Sequence, residues 1–147
     1  MKNMFQKMKA AKKNNKGFSL VELIVVIAIM AVLVGILAPQ FIKYVENSRK
    51  ATDVKNGQEI ASAILTAMTD QETAYKSSKS AATAISATNL PSGLGSIPDI
   101  KTTAITTKTW YASWDVDKGT VVVYCGGTTA NYEVYPTLSS TSVFLKK

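Results

Sequence analysis

Two aspartates at alternate positions, Asp115 and Asp117 in "DVDKG", stand where a calcium loop would begin, and a lone cysteine, Cys125, follows in "TVVVYC". A calcium loop needs a glycine at its sixth position and a bidentate glutamate at its twelfth. Here Gly119 comes one place early and Gly126 stands where the glutamate belongs, so a hairpin turn is expected. A nucleophilic cysteine needs a base or cation to lower its pKa. The chain holds no histidine, so Cys125 is expected as a buried small hydrophobe, and with one cysteine no intrachain disulfide can form. "PSGLGS" contains glycines but follows no strand and opens no helix, which removes the context of a phosphate cradle. The expectation is no catalytic residue, no cofactor-binding residue, no metal ligand and no cofactor: the chain is not an enzyme.

The remaining ionisable group in an unusual place is Glu22, inside "NKGFSLVELIVVIAIMAVLVGILAPQ". An intramembrane carboxylate is expensive and is a functional-site candidate by default. Residues 18–38 as a helix rise about 30 Å, enough to cross a bilayer. Six of the 17 basic residues precede Gly17, leaving eleven to balance ten acids from Phe18 onward. Six of the seven net positive charges therefore belong to the first seventeen residues, where they fit a flank holding the N-terminus in the cytoplasm, and no nucleic-acid site is evident. A cleaved secretory signal is the first rival, but its apolar stretch is shorter and ends in a small-x-small site, whereas this run ends "GILAPQ". A plain single-pass anchor is the second; it leaves Glu22 and the abrupt "KGF" junction unexplained.

These groups must be carried by three kinds of element. Beyond Pro39 the helix turns amphipathic, with Val54, Gly57, Ala61, Ile64, Leu65 and Met68 within roughly 100° on a helical wheel. Gly57 lies on that stripe and is placed to let a strand or helix approach closely. Residues 73–108 are dense in Ser, Thr and Ala, with turn residues in "LPSGLGSIP", and read as a long loop. Residues 109–147 read as an antiparallel meander: Trp110, Ala112 and Trp114 alternate, then Val121, Val123 and Cys125, then Tyr132 and Val134, with an edge strand over 143–145. The fold class is α+β, a long N-terminal helix, apolar then amphipathic, packed on a small C-terminal antiparallel sheet.

The junction "KGFSLVEL", behind a lysine-rich leader and ahead of a long apolar helix containing Pro39, resembles the prepilin processing motif of type IV pilins and pseudopilins. The resemblance implies a leader over 1–17, a transmembrane or filament-core helix over 18–41 and a globular head over 42–147, whose helical half is 42–72. It implies cleavage by a prepilin peptidase between Gly17 and Phe18, and N-methylation of Phe18. It gives Glu22 an assembly role, its carboxylate meeting the amine of a neighbouring Phe18 and setting the axial register. A carboxylate in an apolar bundle needs such a partner, although Glu22 is also placed to pair within its own chain. Pro39 lacks the N–H that would bond Gly35, so the Gly35–Pro39 turn is a candidate kink or melting point.

The implied partners are further copies of the chain in a helical homopolymer through the 18–38 helix, the peptidase, an inner-membrane platform and an assembly ATPase. The implied location is the cytoplasmic membrane before assembly and a cell-surface pilus after, serving adhesion, twitching motility or DNA uptake. Many proteobacterial pilins close a C-terminal loop with a disulfide that Cys125 alone cannot make, which favours a cysteine-poor branch with strand pairing and packing as the clasp. The alternative within the family is a pseudopilin of a type II secretion or competence system. Outside it stands a non-polymerising single-pass anchored surface domain.

Overall fold

The computed structural model describes residues 17–145. The chain divides into two compact units, Met1–Gln40 and Phe41–Lys147. One helix, α1 (Leu20–Thr69), runs through both.

Helix α1 starts on a capping box. Ser19 is the N-cap: the Val21 N–H donates to its Oγ at 3.4 Å, and its own N–H donates to Glu22 Oε2 at 2.8 Å. The helix ends at Thr69, three residues short of the expected boundary, in a Schellman turn. The Glu72 N–H returns to the Ala67 carbonyl at 2.9 Å and the Gln71 N–H to that of Met68 at 3.2 Å, with Gln71 left-handed at φ 54°. Glycine is usual at that position, so no residue type announces this stop.

In the second unit α1 contributes Asp53, Gly57, Ile60, Ala61, Ala63, Ile64, Ala67 and Met68 to the interior. Val54 and Leu65 of the expected stripe are partly buried at its edge. The sheet has four antiparallel strands in chain order: β1 (Lys79–Ala84), β2 (Trp110–Asp115), β3 (Thr120–Cys125) and β4 (Glu133–Tyr135). The expected alternation holds along β2 and β3: Trp110, Ala112, Trp114, Val121, Val123 and Cys125 all face the core. The glycine on the stripe has its reason in packing, because a Cβ on Gly57 would overlap the Val134 side chain and lie 3.4 Å from Trp110 Cζ3.

Two readings of the sequence need correction. The segment 73–108 contains β1, which pairs with β2 in the register Thr83↔Ala112 and Ala84↔Tyr111. Its "KSAATA" has no large apolar residue and is largely exposed, so the strand owes its conformation to its neighbour and not to its own pattern. Residues 143–145 form turns in place of an edge strand, and they deliver Phe144 to the core at 4% exposure. Between β3 and β4 a 3₁₀ turn, Ala130–Tyr132, takes up Tyr132.

Candidate assembly site

The described part of the first unit, residues 17–40, is the apolar half of α1 with the residues that cap it. Every large apolar side chain from Phe18 to Tyr44 is exposed, from 47% at Val26 to 87% at Phe18. Its mean hydropathy reaches 3.1, and it is the one described helix long and apolar enough to cross a membrane. Carrying this surface into water would cost on the order of 25 cal/mol for each Å², so it requires lipid or protein around it.

Glu22 sits in the first turn of this helix with one oxygen on the Ser19 N–H. A carboxylate there complements the positive end of the helix dipole and satisfies one of its unpaired N–H groups. The bonded amide belongs to the residue next to Phe18. The structure thus brings Glu22 to the junction where Gly17 and Phe18 stand, through Ser19. Ser19 was not singled out from sequence, although "SLVE" carries the Ser-x-x-Glu spacing of a capping box. Gly35 and Pro39 share a later turn, about 20 Å from Glu22 at helical rise. A Cβ at Gly35 would meet nothing within 4 Å, and Pro39 lies within the unbroken α1.

The other candidates resolve as structure. Asp115 accepts the Lys118 N–H at 3.1 Å and the Lys118 ammonium at 2.8 Å, and Gly119 completes the β2–β3 turn at φ 62°. Those Lys118 contacts hold the Asp115 carboxyl below its ordinary value. Cys125 is fully buried, and burial, with the charge of Asp53 adding to it, pushes its thiol far up. That is the reverse of what a nucleophile needs. No group of three or more His, Cys, Asp or Glu that could hold a metal ion occurs among the described residues.

Two carboxylates that the sequence reading passed over do have work. Asp53, fully buried, accepts the N–H groups of Lys101 at 2.8 Å and Thr102 at 2.7 Å. Glu46, seven residues earlier and so on the same helix face, accepts the Thr103 N–H at 2.9 Å.

A family model, the prokaryotic N-terminal methylation motif, matches residues 12–38. The chain therefore carries the motif that is characteristic of type IV pilins and pseudopilins, which are structural proteins. The match covers Lys12 to Lys16, the Gly17–Phe18 pair, Glu22 and the apolar run of α1 up to Ala38, and it stops before Pro39 and the second unit. No curated protein and no solved structure matches the chain.

Proposed function

We propose that the chain is the structural subunit of a type IV pilus filament, held in the membrane as a cleaved, N-methylated protein and polymerised through its apolar helix. The observation that carries this reading is the methylation motif at residues 12–38 joined to a helix whose apolar side chains are exposed on every side. In this reading residues 1–17 are the leader, 18–41 the membrane and filament-core helix, and 42–147 the head. The peptidase cuts between Gly17 and Phe18 from the cytoplasmic side, and the methylated Phe18 amine becomes the new terminus.

Assembly exchanges lipid around the helix for the helices of other subunits. Apolar contact is available in both environments, so it supplies little selectivity between registers, and the ionisable groups supply it instead. An amine brought into a helix bundle with no counter-charge costs several kcal/mol at each subunit. Glu22, lying beside Phe18 and needing the same compensation, is the counter-charge. The Gly35–Pro39 turn, lacking one helical hydrogen bond, is the point at which the helix lengthens in the filament.

Surface-sheared filaments analysed by mass spectrometry should contain a chain beginning at methylated Phe18. A chain beginning at Met1, or one lacking the apolar run, would refute the reading. Glu22→Ala should still insert and be cut after Gly17, while filaments become sparse or absent and processed subunit accumulates in the membrane. Normal filament abundance in that variant would remove the register role.

A further inference from the structure

Residues 98–109 cross between α1 and β2 without a place in the sheet, so their backbone groups must be satisfied by other means. The Thr109 carbonyl accepts the Gly126 N–H at 2.9 Å, and the other partners are side chains. Asp53 takes the N–H groups of Lys101 and Thr102, and Glu46 takes that of Thr103. The Lys108 ammonium donates to the Thr102 carbonyl at 2.6 Å, and the Trp110 indole N–H to the Pro98 carbonyl at 2.7 Å. Ile100 and Ile105 anchor the segment in the core on either side of the clamp.

The segment also carries a built-in cost. Thr102 is fully buried, and its Oγ1 has no hydrogen-bond partner. A buried hydroxyl left unpaired opposes closure, because water would satisfy it as soon as the segment lifted.

We propose that residues 99–104 are a strap clipped to α1 by Asp53 and Glu46, which opens as a local unit while the sheet stays closed and uncovers Ile100 and Ile105. In a head without a disulfide, this carboxylate clip fastens the long loop to the helix. Asp53 and Glu46 hold it shut, and the Thr102 hydroxyl biases it toward opening. The six β2–β3 residue pairs, from Trp110↔Cys125 to Asp115↔Thr120, do not depend on the clip. Local opening of this kind is how segments with few ladder bonds exchange their amide hydrogens.

The test is native-state hydrogen exchange on the full chain in detergent micelles, paired with limited trypsin digestion after Lys101. Asp53→Asn should speed exchange at Lys101 and Thr102 by roughly tenfold or more and raise cleavage after Lys101, since it removes a charged acceptor of two backbone donors. The amides of Ala112 and Val123 should keep their protection. Glu46→Gln, at a partly exposed site, should have a smaller effect centred on Thr103, and it decides the matter if Asp53→Asn fails to fold. Thr102→Val keeps the shape and deletes the orphaned hydroxyl, so it should slow exchange at Lys101 and Thr102 several-fold. Equal acceleration across strap and sheet would overturn the proposal, as would unchanged exchange in Glu46→Gln or faster exchange in Thr102→Val.

Discussion

Gly57→Ala offers a change whose sign depends on packing alone. In an open helix the substitution stabilises by about 1 kcal/mol, because alanine loses less backbone entropy on folding. Here the new methyl overlaps Val134 and comes within 3.2 Å of its Cβ and 3.4 Å of Trp110 Cζ3. Neither neighbour can retreat easily, since Val134 is 2% and Trp110 1% exposed and a valine side chain has one stiff torsion. Overpacking of this kind costs about 1–3 kcal/mol, so the net effect is a destabilisation of roughly 1 kcal/mol and a fall in Tm of about 4 °C. Urea unfolding of the full chain in detergent, followed by tryptophan fluorescence, reads the change where it occurs. Val134→Ala removes the obstructing methyls, so in that background Gly57→Ala should become stabilising, a coupling of about 1 kcal/mol or more. A Gly57→Ala protein more stable than its parent, or the same effect in both backgrounds, would refute the close approach of α1 to β4.

Three further outcomes follow from the second unit. A fragment beginning at Phe41 should fold cooperatively and remain monomeric, because the core from Ile60 to Phe144 lies within it, and a circular dichroism spectrum without folded structure would contradict that. Burial holds the Glu133 carboxyl above its ordinary value of 4.5, so its ionisation weakens the fold as pH rises through that raised value and the penalty is relieved below 4.5. Glu133→Gln should therefore stabilise at pH 7 by less than about 1 kcal/mol for this partly exposed group and flatten the pH dependence above 4.5, as measured by Tm against pH. Cys125 should resist alkylation in the native protein and react at the rate of a free thiol in urea; rapid native labelling would show that its strand end opens readily.

What was legible in the sequence had a short period or a dense motif. Alternation marked β2 and β3, the long apolar run marked the first half of α1, and the residues of the methylation motif stood together between 12 and 38. Elements that depend on distant partners were not legible. The strand β1 has no apolar pattern of its own, and the end of α1 rests on a left-handed glutamine. Asp53 interrupts no hydrophobic run and reads as an exposed helical acid until the 101–102 amides are brought to it from 48 and 49 residues away. Ser19 was legible by the Ser-x-x-Glu spacing it shares with Glu22, a local signal embedded in an otherwise apolar run.

The Ser19–Glu22 bond makes the carboxylate an occupied acceptor before any encounter. An approaching cation has the other oxygen and the remaining lone pair of Oε2 open to it, or it draws the side chain away from the Ser19 amide. In the second case contact is an exchange of partners: one charge-assisted bond forms as another breaks, and the helix gives up a cap worth about 1 kcal/mol. In the proposed filament such an exchange would be closer to balance than a simple addition, so a wrongly placed neighbour that breaks the cap without supplying a well-aligned replacement would be released again. Where the contact takes that second form, the cap is a competitor that the incoming cation has to displace.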